Sequence, residues 1–134
     1  MATQRVTVLK ASLKNRAGAL LNVMAALKSK NVGLTGLWGF SKSGGKADLY
    51  VVAKNPAKAR AILKKARVYR SEMNAFSVKG KDRAGALNST LGKLARKRVN
   101  INAVHAIAVG GKFGSYILVN SGSVAKTARA LRGR

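Results

Sequence analysis

Asn15-Arg16-Ala17-Gly18-Ala19-Leu20 returns 67 positions later as Asp82-Arg83-Ala84-Gly85-Ala86-Leu87. The spacing is half of the 134-residue chain, so the sequence reads as two copies of one small unit. Each hexapeptide follows an apolar, β-branched stretch and precedes a run of helical period, which makes it a turn from a strand into a helix. The start of a helix presents unpaired N–H groups and about half a positive charge. A glycine in that turn lets a ligand approach the backbone.

Residues 6–13 read as the strand before the first turn, and residues 19–30 as the helix after it, with Leu20, Val23, Met24 and Leu27 on one face. Asn31-Val32-Gly33 ends that helix. Residues 34–41 and 46–53 form two strands about a Ser43-Gly44-Gly45 hairpin turn. Asn55 caps a second helix that has Pro56 at its first position and Ala59, Ile62, Leu63 and Ala66 as its apolar side. Residues 68–70 form a short fourth strand. In the second copy, residues 73–78 are a strand, and residues 84–97 a helix with Leu87, Leu91 and Leu94 inward. Residues 100–109 and 113–119 are strands about Gly110-Gly111, and Ser123 caps a last helix.

The expected fold is α+β: two ferredoxin-like βαββαβ modules, residues 1–70 and 71–134, with antiparallel sheets and helices on one face. The second copy lacks its last strand and leaves a sheet edge to be covered. A unit of about 67 residues is near the lower limit for an independent core, so the copies share buried surface with each other or with a second chain as a homodimer.

The strand, the [Asn/Asp]-Arg-Ala-Gly-Ala-Leu turn, the amphipathic helix and then Asn31-Val32-Gly33-Leu34, or Val99-Asn100-Ile101, together resemble a tandem ACT-domain protein. The resemblance spans essentially the whole chain and occurs twice. Two departures stand out: Ala17 and Ala84 occupy the place of the usual proline, and the basicity is foreign to the family. The resemblance implies a non-catalytic regulatory protein that senses a small molecule, an amino acid above all, at the interface of paired modules. The ligand would lie against the turn of one copy, Asn15–Leu20 or Asp82–Leu87. Leu34 and Thr35, or Asn100 and Asn102, would face it from a second strand.

Elementary chemistry suits the two turns to a zwitterion. A carboxylate would sit on the amides and on Arg16 or Arg83, and an ammonium group on the side-chain oxygen of Asn15 or Asp82. The same residues equally serve a purely structural turn, with Asn15 or Asp82 as a cap.

Charge is the outlier of the composition. Twenty-seven Lys and Arg face three acids, Asp48, Glu72 and Asp82, for a net +24. Such an imbalance attracts polyanions. Lys58, Arg60, Lys64, Lys65, Arg67 and Arg70 crowd one helix and its exit, while Lys93, Arg96, Lys97 and Arg98 crowd another. The alternative reading is therefore a cationic nucleic-acid-binding protein of low specificity, and a third is a scaffold whose surface was recharged by engineering. Gly111-Lys112-Phe113-Gly114-Ser115-Tyr116 lies where RNA-recognition motifs carry stacking aromatics, but Ser115 replaces the second of them.

No catalytic set emerges. His105 is the sole histidine and takes the place of Trp38 of the first copy, a packing position; the three acids are scattered, and there is no cysteine. No metal, cofactor or enzymatic activity is expected. No run approaches a signal peptide or a spanning helix, which leads to the expectation of a cytoplasmic protein without a membrane partner.

Overall fold

The computed structural model describes residues 2–132. In chain order they form β1 (Ala2–Lys14), α1 (Ala19–Ser29), β2 (Leu34–Lys42), β3 (Lys46–Ala53), α2 (Pro56–Lys65), β4 (Tyr69–Lys81), α3 (Asn88–Arg96), β5 (Ile101–Val109), β6 (Lys112–Val119) and α4 (Val124–Leu131), with a 3-10 turn at Ser121–Ser123 before α4. This is the expected α+β arrangement, βαββα twice over. No helix among the described residues is long and apolar enough to cross a membrane.

The chain divides into two compact units. One is Thr7–Met73; the other joins residues up to Val6 with those from Asn74 onward. The sequence division at 70/71 assigns the first six residues to copy one, whereas in the structure they go with copy two. The physical reason is the sheet edge. In Thr7–Met73 the strand order is β2-β3-β1-β4. In the second unit it is β5-β6-β4-β1, the same pattern with β1 in the closing position. No strand follows α4 among the described residues, and the N-terminal part of β1 fills the place such a strand would take. Arg5 Nε donates to Asn74 Oδ1 at 3.1 Å along that closure, while Ser12 N–H donates to Val68 O at 2.9 Å along the equivalent closure of the first unit. The strands read as residues 68–70 and 73–78 are consequently one continuous β4.

Period-two alternation builds each core. In Thr7–Met73, Leu9, Ala11 and Leu13 of β1 and Leu49, Val51 and Ala53 of β3 point the same way, in the register Leu9↔Val51 and Ala11↔Leu49. Val23 and Leu27 of α1 and Ala59 and Leu63 of α2 cover them. The second unit repeats this with Phe76 and Val78, Phe113, Ile117 and Val119, under Leu94, Val124 and Leu131. Each large aliphatic side chain so buried contributes about 1.5–3 kcal/mol. Leu20 departs from expectation: it is 45% exposed, because α1 turns Val23 and Leu27 inward and leaves its first turn at the surface.

Helix ends follow local chemistry. Asn55 Oδ1 accepts from Lys58 N–H at 3.1 Å, the cap expected ahead of Pro56. Ser123 precedes α4 without a side-chain cap; its carbonyl instead accepts from Thr127 Oγ1 at 2.7 Å. Helix α3 begins at Asn88, not near residue 84, because Gly85 takes a left-handed φ of 73° and Ala86 turns into the core. α1, α2 and α3 close alike. Asn31, Arg67 and Arg98 hold φ of 57°, 63° and 56°, and the next N–H reaches back to the carbonyl of Leu27, Leu63 or Leu94.

A left-handed arginine at a helix end is strained where glycine is not. Replacing Arg98 by Gly should raise the urea midpoint by the equivalent of about 0.5–1 kcal/mol without changing the m-value. A midpoint that stays or falls means that Arg98 carries a compensating contact.

Candidate functional site

The first turn leaves β1 at Lys14. Asn15 N–H donates to Gly45 O at 2.9 Å, which ties the turn to the β2–β3 hairpin, and Asn22 N–H donates to Gly18 O at 3.0 Å, which starts α1. Gly18 is the N-cap residue, at φ 86°, ψ −13°, and no side chain caps the helix. Asn15 therefore does not serve as the cap. A Cβ at Gly18 would meet nothing within 4 Å, so glycine is needed here for its backbone angles and the space beside the turn is open.

A cavity of about 460 Å³ opens beside this turn, wholly within Thr7–Met73. Lys14 and Arg16 bound it on the turn side, Lys46 at the start of β3, Arg67 after α2 and Arg70 on β4, with Asn22 of α1. Five cations from separate points of the chain thus converge, and no carboxylate is among the lining residues. Pairing register explains part of the convergence. The hairpin glycines set Lys46 directly opposite Lys42, and on its other side Lys46 faces Lys14. Like charges in directly opposed positions destabilise a sheet.

The second turn differs from its twin. Its cavity, lined by Thr3, Arg83, Ser89, Thr90, Lys93 and Leu131, measures about 110 Å³. Arg83, Ser89 and Thr90 stand 67 positions after Arg16, Asn22 and Val23, so the two cavities are counterparts. Thr3 of the N-terminal closing strand lies where Val68 and Arg70 lie in the first unit. The side chain of Asn88 sits over Gly85, its Nδ2 3.3 Å from the position of a Cβ.

The remaining expected site residues are distributed as follows. Arg16 and Ala19 line the larger cavity and Arg83 the smaller; Ala17, Ala84 and Asp82 are exposed, and Asp82 N–H donates to Gly111 O at 3.0 Å. Leu34, Leu87 and Ala86 face the cores. Thr35 and Asn102 occupy matching bulges on β2 and β5; Thr35 Oγ1 donates to Val52 O at 3.3 Å, and Asn102 Nδ2 to Asn120 Oδ1 at 2.6 Å. Asn100 is exposed.

Among the cations set aside for polyanions, Arg67 and Arg70 belong to the cavity beside the first turn, Lys93 to that beside the second, and Lys97 to a third cavity of about 510 Å³ with Lys126, Arg129 and Arg132. Lys58, Lys65, Arg96 and Arg98 are exposed. Arg60 and Lys64 are engaged: Arg60 forks onto Glu72, with Nη2 2.9 Å from Oε2, and Lys64 Nζ stands 5.2 Å over the Tyr69 ring. Phe113 is buried in the core, so the Gly111–Tyr116 stretch offers no stacking ring at that position. His105 pairs in register with Tyr116 across β5 and β6.

Both carboxylates of Thr7–Met73 are committed elsewhere. Lys42 Nζ stands 2.9 Å from Oδ1 of the buried Asp48, and Lys10 Nζ 3.9 Å from Oδ2. The Lys42 pair is held by charge more than by hydrogen-bond direction, since Oδ1 lacks a well-aligned donor. Contact with Lys42 lowers the Asp48 pKa most, with Lys10 in support and burial opposing. Hydrogen bonds from Arg60 and then Tyr69 lower that of Glu72. Both folded values lie below the unfolded ones, so the stabilisation is complete above the ordinary carboxylate range and is lost as pH falls through the depressed values. Thermal midpoints between about pH 5 and pH 2 should drop for the wild type and drop less steeply for Asp48→Asn. Parallel slopes mean that Asp48 is unpaired in solution.

Sequence comparison matches no protein-family model and no curated protein. Solved structures do match in fold. Protein BT0572 from Bacteroides thetaiotaomicron superposes with a TM-score of 0.85 at 21% identity, covering 98% of this chain and 89% of that one. The ligand-free regulatory subunit of aspartate kinase from Thermus thermophilus gives 0.67 at 11% identity, covering 98% and 94%. The corresponding subunit from Thermus flavus gives 0.59 at 12%, with the same coverage. The chain shares the fold of these structures, and its twice-repeated strand–Gly turn–helix unit is the arrangement that the resemblance to tandem ACT-domain proteins implies.

Proposed function

We propose that this chain is a non-catalytic regulatory module that binds a small ligand through the ligand's anionic end, at the turn before α1. The observation that carries the reading is the cavity of about 460 Å³ beside Gly18, which Arg16 enters from the repeated motif. Its volume falls within the range of small-molecule sites, about 300–1,000 Å³. The amides at the start of α1 are uncapped by side chains, and the left-handed glycine keeps their approach open. Amino acids are the class that the ACT resemblance implies, and the solved neighbours include regulatory subunits of aspartate kinase. The second turn contributes less, since its cavity is smaller and Asn88 lies over Gly85.

Low-specificity binding of nucleic acid is the second reading, favoured by the net +24 and by the third cavity's four cations. It predicts an affinity that collapses as salt approaches about 0.15–0.2 M.

A ligand that binds only the folded state raises the unfolding midpoint. Thermal-shift screening with the twenty amino acids and small organic anions should find a stabilising compound whose effect is lost in Arg16→Gln and retained in Arg83→Gln. Stabilisation by none of them, or equal loss in both variants, overturns the site.

A further inference from the structure

From the charges around the cavity beside the first turn, we infer that it takes a small molecule bearing two or more negative charges at one end, such as a phosphorylated metabolite, in preference to a zwitterionic amino acid. This rests on the proposed site and refines its ligand. Three observations carry it.

The first is an uncompensated charge. The acids of Thr7–Met73 are Asp48 and Glu72, and they are paired with Lys42, Lys10 and Arg60. None of those cations lines the cavity. Lys14, Arg16, Lys46, Arg67 and Arg70 do, and no ion pair joins them to a carboxylate among the described residues. One ligand carboxylate leaves most of that charge facing itself, and an ammonium group brought into the same space adds to it. All five cations are exposed, so solvent and salt screen part of the repulsion, and a group with two or more negative charges offsets what remains.

The second is the placement of the cations. Lys14 and Lys46 lie directly opposite each other on neighbouring strands, where like charges cost stability. An anion held between such a pair offsets that cost. Arg67 and Arg70 bring planar guanidinium groups, which bind phosphate oxygens in a fork.

The third is the donor set. Asn22, on the first turn of α1, adds a side-chain hydrogen-bond donor on one side of the cavity. The volume of about 460 Å³ exceeds what a bare phosphate fills, which leaves room for an organic group.

The test uses the full chain at a fixed ionic strength of about 0.15 M, where diffuse attraction is screened beyond about 8 Å. Pyrophosphate serves as the anionic compound and the twenty amino acids as the comparison, read by calorimetric titration and thermal shift. The variants are Arg67→Gly, which relieves the backbone and so keeps the fold, Arg70→Gln, and Lys126→Gln in the third cavity as the control for bulk charge. The expected result is saturable 1:1 binding of pyrophosphate, weakened at least about tenfold by Arg67→Gly and by Arg70→Gln and less than about twofold by Lys126→Gln. Equal weakening by all three variants, or tighter binding of an amino acid than of pyrophosphate, overturns the inference. If an amino acid binds and Arg16→Gln abolishes it, the sensor reading stands while this refinement falls. If neither amino acids nor pyrophosphate bind, both fall.

Discussion

The closing strand of each sheet is the constraint on which the rest depends. A βαββα unit leaves one flank of its first strand open, and backbone N–H and C=O groups there need partners. Copy one meets the need with the residues that follow α2. Copy two has no such residues after α4 among those described, and the first residues of β1 take the place. One long strand at the start of the chain and another in the middle, each of 13 residues, therefore divide their length between the two units. No single cut of the chain separates the units.

The same arrangement makes near-identical turns chemically unequal. Both hexapeptides place an arginine and a left-handed glycine before a helix. What stands beside the turn depends on the closing strand. In copy one the chain arrives from α2 through Arg67, Val68 and Arg70, which widens the cavity and charges it. In copy two it is Thr3 of an unrelated segment, and the cavity shrinks to about 110 Å³. Duplication supplied two potential sites, and strand closure left one of them roomy.

Much of this was legible in the sequence because the signals are local. The hairpin glycines, the Asn55-Pro56 helix start and the apolar spacing of β1, β3 and α2 each follow from a few adjacent residues. Some local readings failed where tertiary packing overrode them. Ala86 turned into the core and moved the start of α3 to Asn88; Leu20 stayed at the surface; Leu34, expected to face a ligand, packs against the core. The cavity's cations were only partly visible. Arg16 belongs to the motif, and Arg67 and Arg70 appeared as part of a basic run. Lys14 and Lys46 become neighbours only through strand register, although the Gly44-Gly45 turn already fixes Lys46 against Lys42.

The sequence by itself determined the duplication, the order of elements in each copy and a charge that favours anionic partners. These depend on composition and on periods of two or about 3.6 residues, which any short window contains. Only the tertiary structure decided which segment closes the second sheet, which acids neutralise which cations, and that five cations remain around one cavity. Those outcomes depend on residues far apart in the chain, brought together by strand pairing, and no local pattern encodes which distant strand will pair.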